Sequence, residues 1–261
     1  MLGGDEVLER ATWDTFWVPD FVRIVDRPEL LCLACPEVEA SLYNMVLRLR
    51  PPRGRLRALL DEVVEAHRGR ESRVPVPPTI RSSELEEALL ERSYQPRVHH
   101  HGYVLGTGGH RPRPRGGIRV VRVTTPAQLR RAVKVVGAAF GDPRVPGDDE
   151  LERLWADCSP ADARVQRYLA VDAETGEGLA HGGLTVHTSL GFGFLWGGGT
   201  VPGARGRGAY RAVLDARILR ASQLGLGRVG LYGRDETSGP IVEALGFARE
   251  GPMVHWVRGP T

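Results

Sequence analysis

One stretch constrains this chain more than any other: Thr200-Val201-Pro202-Gly203-Ala204-Arg205-Gly206-Arg207-Gly208-Ala209-Tyr210-Arg211. A strand-forming run ends, a loop of glycine and arginine follows, and an amphipathic helix over 208–224 begins at once. The fold must therefore deliver a strand directly into a helix N-terminus. There the first N–H groups lack internal partners and point outward, and the aligned peptides place about half a positive charge. Glycines let a bulky anion approach the backbone with no Cβ in the way. Arg205, Arg207 and Arg211 add guanidinium forks that match phosphate oxygens. The stretch reads as a phosphate site. It is not a Walker loop, because the only lysine, Lys134, is followed by Val135 and no glycine-rich run leads into it. Nor is it a dinucleotide fingerprint, since Arg211 stands where the third glycine belongs.

Strand and helix patterns alternate around this loop. Ile118 to Val123 alternates branched residues with arginine, as a strand does. Thr125-Pro126-Ala127-Gln128 predicts a helix start with a capping box and proline at the first position. That helix runs to about Ala139, stopped by Gly141 and Pro143, and a second spans about 149–156. Val165 to Val171 and Leu179 to His187 predict a hairpin across a Glu-Thr-Gly-Glu-Gly turn. Phe192 to Val201 is a glycine-rich strand, Arg228 to Gly233 another, 239–245 a short helix, and Met253 to Val257 a last strand. The fold class is α/β with a mixed sheet.

The loop resembles the R/Q-x-x-G-x-G/A motif of the GNAT N-acetyltransferase superfamily, with Arg205 to Tyr210 in its six places and Thr200 and Pro202 ahead of it. Tyr210 stands where that family has Gly or Ala. A second family block, N-x-x-A-x-x-x-Y-x-x-x-G-F, falls on Asp235, Ser238, Val242, Gly246 and Phe247; only the Gly-Phe ending matches. The order of elements from Ile118 to Val257 agrees with the family throughout. The resemblance implies a GNAT fold and transfer of an acetyl group from acetyl-CoA to an amine. It implies that Arg205, Gly206, Arg207, Gly208, Ala209, Tyr210 and Arg211 hold the pyrophosphate. It also implies that the backbone of Gly199, Thr200 and Val201 pairs with the pantetheine arm and polarises the thioester carbonyl.

The catalytic groups stay open. His187, near a strand end, titrates in the right range, and Asp235 and Glu236 follow the strand 228–233; each also reads as an ordinary turn or strand-end residue. The family's acidic tyrosine falls on Val242, with Tyr210 and Tyr232 as substitutes that also read as packing residues with satisfied hydroxyls. Cys32-Leu33-Ala34-Cys35 has the spacing of half a zinc site but no second pair exists, and Cys158 is alone. His99-His100-His101 alternate faces in a strand and make a poor chelate. No metal is expected.

The first half carries a worn copy of the same unit. Arg53-Gly54-Arg55-Leu56-Arg57-Ala58-Leu59-Leu60-Asp61 lies over Arg207 to Asp215, and Ser93-Tyr94 lies over Gly246-Phe247 at nearly the same spacing. Pro51 and Pro52 stand in place of Arg205 and Gly206, and proline has no N–H to offer a phosphate. The run Arg111 to Gly117 can continue neither helix nor central strand. The expected organisation is a partial, degenerate GNAT-like domain at 1–105, a solvated linker at 106–117, and an acetyl-CoA-binding GNAT domain at 118–261.

An apolar fraction of 41% with 26% charged residues is that of a soluble globular protein. No 18-residue apolar run exists to span a membrane. With no signal-like N-terminus and few cysteines, a cytoplasmic location is expected. A formal net charge of +3 is too small to indicate nucleic acid, even with Arg111–Arg115 and Arg205–Arg211. The expected function is an N-acetyltransferase acting on a small-molecule or peptide amine; the alternative is a non-catalytic acyl-CoA-binding or sensor module. Gly208→Asp should abolish acetyl-CoA binding by placing a carboxylate where the pyrophosphate sits, and Gly54→Asp should leave it intact. Equal losses in calorimetric titration would defeat the assignment of binding to the second copy alone.

Overall fold

The computed structural model describes residues 2–38, 41–141, 146–158 and 163–260. The chain divides into two compact units: Met1–Tyr103 with Tyr232–Pro240 and Arg249–Thr261, and Val104–Leu231 with Ile241–Ala248. Among the described residues no helix is long and apolar enough to cross a membrane.

The first unit opens with α1 (Gly4–Thr12), whose Asp5 and Glu6 suit the positive helix end. Strands β1 (Arg23–Arg27) and β2 (Leu30–Ala34) form a hairpin, and every residue of β2 is buried, as in a strand covered on two faces. Strand β3 (Met45–Leu49) pairs antiparallel with β2. Helix α2 (Leu56–Ala66) buries Leu56, Leu59, Leu60 and Val63, one face at helical spacing. Strand β4 (Ser72–Val76) then lies parallel to β3, and Ser82 caps α3 (Ser83–Leu90) by accepting from the Leu85 N–H at 3.2 Å. Strand β5 (Gln95–Gly106), which contains His99 to His101, carries the chain into the second unit.

The second unit holds β6 (Ile118–Arg122), α4 (Pro126–Phe140), α5 (Asp148–Cys158), β7 (Val165–Asp172), β8 (Gly178–His187), β9 (Phe192–Thr200) and α6 (Ala209–Gln223). Then come β10 (Arg228–Gly233), α7 (Ser238–Glu243) and β11 (Ala248–Arg258). The capping box forms as predicted: Thr125 Oγ1 accepts from the Gln128 N–H and Gln128 Oε1 from the Thr125 N–H, both at 3.2 Å. Gly141 ends α4 at φ 74°, a left-handed cap that glycine adopts without penalty; Pro143 lies outside the described residues. Strands β10, β9, β8, β7 and β6 are neighbours in that order, with β9–β10 parallel and the rest antiparallel. Leu129, Ala132 and Val135 of α4 pack with Leu151 and Cys158 of α5 on Leu169 and Val171 of β7.

The same order of elements occurs twice: β1-β2-β3-α2-β4-α3-β5 and β7-β8-β9-α6-β10-α7-β11. In each the third strand and the strand after the helix are parallel. The first copy has α1 where the second has β6, α4 and α5. The sequence expectation kept 118–261 together, but the compact units follow other bounds. Residues from Arg249 onward group with the first unit, where β11 pairs antiparallel with β4 from Val254↔Val76 to Arg258↔Ser72. An alternating apolar strand fits any sheet edge of matching pattern, so its residues do not name their partner. Val254 and Trp256 complete a core with Val74, Val76, Leu60 and Leu89. Trp256 is 5% exposed. Trp256→Ala should therefore cost about 3–5 kcal/mol, measured by denaturant unfolding followed by circular dichroism. A loss below about 1 kcal/mol would contradict that role.

Candidate active site

The phosphate-loop candidate belongs to the second unit, and β9 sets its approach. β8 pairs with β9 from His187↔Phe192 to Ala180↔Thr200, with a register shift between His181 and Gly183. On the other edge β10 pairs with β9 only over Phe192–Phe194. Among the described residues, Leu195–Thr200 run beyond that pairing, and no strand covers their outer edge. The Val201 N–H donates to the Leu179 carbonyl at 3.0 Å. Strand amides alternate edges, so Gly199 also faces β8 while Thr200 faces the outer edge. Of the three residues expected to meet a pantetheine arm, Thr200 alone has its amide directed there; Val201 has spent its own.

Glycines in β9 make room for large neighbours. A Cβ on Gly198 would stand 2.8 Å from the Tyr210 ring, and one on Gly199 2.9 Å from Ala139 Cβ of α4. This explains how a tyrosine is tolerated at position 210: its ring fills the space that Gly198 leaves.

After Thr200 the chain makes a short turn, with the Ala204 N–H donating to Val201 at 3.0 Å and the Arg205 N–H to Pro202 at 3.3 Å. Gly206 and Gly208 adopt φ of 77° and 86°, which side chains disfavour. The first bond into α6 runs from the Ala212 N–H to the Gly208 carbonyl at 3.0 Å, so the amides of Ala209, Tyr210 and Arg211 have no intrahelical acceptor, although Ala209 itself is fully buried. The three arginines differ. Arg205 is exposed. Arg207 donates to Asp172 Oδ2 at 2.6 Å. That guanidinium, helped by the Thr175 and Glu174 amides, holds the Asp172 carboxyl down at about 2. Arg211 reaches the Ala244 carbonyl at 3.5 Å, and its Nε is buried without a partner.

The catalytic candidates are not gathered at the loop. His187 sits opposite Phe192, at the far end of β9 from Thr200. Eight strand steps amount to roughly 25 Å, so the structure does not bring His187 to the loop. His187 lies at the end of β8, near the strand end as its sequence context suggests, and remote from the loop. Asp235 and Glu236 belong to the first unit. There Asp235 accepts from Arg249 Nη2 at 2.8 Å and lies 2.8 Å from His101 Nδ1. Glu236 is exposed, and Val242 is fully buried. Burial pushes the hydroxyls of Tyr210 and Tyr232 up.

Sequence reasoning missed a buried polar group behind β9. Arg217, 1% exposed, donates to the Gly183 carbonyl at 2.9 Å, Val213 at 3.3 Å and Trp196 at 3.4 Å. Burial pushes it down to about 10. Its signal was present: Arg217 is four residues from Val213 and four from Ala221, both buried on one helix face. His181, 0% exposed, donates from Nδ1 to the Gly197 carbonyl at 3.1 Å, and its Nε2 has no partner. Burial, then Arg167, push its ring down to about 3. Arg167 in turn covers the Trp196 ring at 4.8 Å.

By sequence, no family model and no curated protein matches the chain. By structure, it is similar over 100% of its length, and 97% of the other chain, to a GCN5-related N-acetyltransferase from Kribbella flavida, with a TM-score of 0.72 and 15% identity. A GCN5-related N-acetyltransferase from Sphaerobacter thermophilus matches over 90% of this chain and 82% of that one, with a TM-score of 0.61 and 19% identity. A tandem GNAT protein from the clavulanic acid biosynthesis pathway matches over 94% and 86%, with a TM-score of 0.65 and 15% identity.

The buried histidines make stability depend on pH. His181 is held at about 3 and His67, in the first unit, at about 4, against 6.5 unfolded. Below 6.5 the unfolded chain takes up protons that the folded one refuses, so stability is complete above that pH and falls beneath it, by about 1.4 kcal/mol per pH unit for each group. His181→Asn keeps a donor for Gly197 and should flatten the decline in melting temperature between pH 7 and 5. A variant that declines as steeply as the wild type would remove His181 from this account.

Proposed function

We propose that this chain, which has the fold of the GNAT N-acetyltransferases and of a tandem GNAT protein, is an acyl-CoA-dependent N-acetyltransferase whose second copy binds the cosubstrate. The observation that carries this reading is the pairing of a helix N-terminus at Gly208–Arg211, whose first amides have no intrahelical acceptor, with a strand, β9, that runs on past its pairing with β10 beyond Phe194. The amides of Ala209, Tyr210 and Arg211 and the guanidinium of Arg205 take the pyrophosphate. The Thr200 amide faces the edge along which an extended thioester arm would lie. Arg207 keeps the loop in place through Asp172 rather than gripping phosphate.

The first copy is the non-binding one. At the corresponding place it has a cavity of about 370 Å3 whose lining includes Arg50, Pro51, Pro52, Arg53 and Glu84. Arg50 is already paired with Glu9 at 2.6 Å, and two residues without N–H groups beside a carboxylate leave Arg53 little to hold an anion with.

The acceptor is an amine. An alkylammonium has a reference pKa of about 10.4, so freeing it at pH 7 costs about 4.6 kcal/mol. A positioned base returns roughly 10²–10⁴-fold of that. A thiol with a reference pKa near ~8.5 leaves as thiolate without a dedicated acid, so Val242 in the tyrosine position does not forbid turnover. That same valine, with Asp235 tied to Arg249, favours the second reading, a non-catalytic acyl-CoA-binding module. Micromolar acetyl-CoA binding by calorimetry, weakened about tenfold in Arg205→Ala, is the expected result. Silence at millimolar ligand would remove the proposal. Binding without turnover over a panel of amines would select the second reading.

A further inference from the structure

The arginine–proline segment expected to be a solvated linker is tied along α6. The Thr107 N–H donates to the Gly227 carbonyl at 3.1 Å and its hydroxyl to Leu226 at 2.6 Å, just past the C-terminal end of the helix. In the second turn, Asp215 is 4% exposed and lies 3.0 Å from His110 Nε2 through Oδ1. Its Oδ2 accepts from the Arg113 N–H at 3.4 Å. The segment thus runs antiparallel to α6 and delivers Arg115 to the helix N-terminus. A Cβ on Gly208 would stand 3.4 Å from Arg115 Cδ and 3.7 Å from its Nε. That Nε is buried without a partner, and no carboxylate pairs with the guanidinium among the described residues.

A cation held at the positive end of a helix is opposed by the dipole unless an anion joins the two. Arg207 has Asp172 for that purpose; Arg115 has none. We propose that Arg115 is a ligand of the acyl-CoA pyrophosphate, supplied by the segment that Asp215 anchors to α6. The inference rests on the cosubstrate reading above. It adds a binding residue that lies outside the loop motif, and it makes Asp215 a positioning residue.

The test is calorimetric titration of the full chain with acetyl-CoA and acetyl-dephospho-CoA. Arg115→Ala should weaken binding about tenfold, by the same factor for the two ligands, with an unchanged melting temperature. Arg115→Lys should recover part of the loss, keeping charge but not the fork. Asp215→Asn should weaken binding less, and should add nothing in the Arg115→Ala background. Wild-type binding with an unaffected Arg115→Ala overturns this inference while the cosubstrate reading stands; no wild-type binding overturns them together. A penalty that vanishes with acetyl-dephospho-CoA moves Arg115 to the 3′-phosphate and overturns the pyrophosphate assignment. Equal Asp215→Asn losses in the two backgrounds overturn the anchoring role.

Discussion

The bonds from Arg217 to the carbonyls of Gly183 and Trp196 fix the second unit's geometry. A guanidinium buried without a carboxylate is costly to hold, and its fall to about 10 is the imprint of that cost. Several carbonyl bonds offset it. They are made at the irregular part of the β8–β9 pairing, where Gly182 and Gly183 leave space that any side chain would fill. Helix α6 is thereby registered against β9. The first-turn amides without intrahelical acceptors and the uncovered edge of the strand are two consequences of one anchored helix.

Charge placement around α6 follows from the same anchoring. Asp172, Asp215 and the arginines near the helix are not a uniform ionic surface. Asp172 neutralises Arg207 and is held ionised by it. Asp215 is buried and spent on His110 and Arg113. What remains without a carboxylate partner among the described residues, Arg205, Arg211 and Arg115, stands at the end of the helix where a phosphate would gain most. Pairing is thus what separates arginines already neutralised from those left without a carboxylate, since composition alone makes them equivalent.

The order of elements is repeated although the glycine–arginine loop is not. The hairpin, helix and parallel strand of the first copy bury Leu56, Leu59, Leu60 and Val63 much as α6 buries its own face. Packing is preserved where Pro51 and Pro52 have removed donors. A helix that keeps its apolar stripe keeps its place in the fold whatever residues lead into its N-terminus.

Local chemistry was legible in the residues. The capping box at Thr125, the hairpin at 165–187 and the strand-to-helix loop each depend on neighbours a few positions away, and the sequence alone determined them. Where His187, Asp235 and β11 end up was not legible. A strand shows which residues share a face but not which edge it joins, and a turn carboxylate does not announce the arginine that will hold it. The partner of Arg207, the burial of Arg217 and the path of Arg115 along α6 join residues that lie far apart in the chain. They were decided by tertiary structure, because a charge takes its role from what packing brings within reach of it.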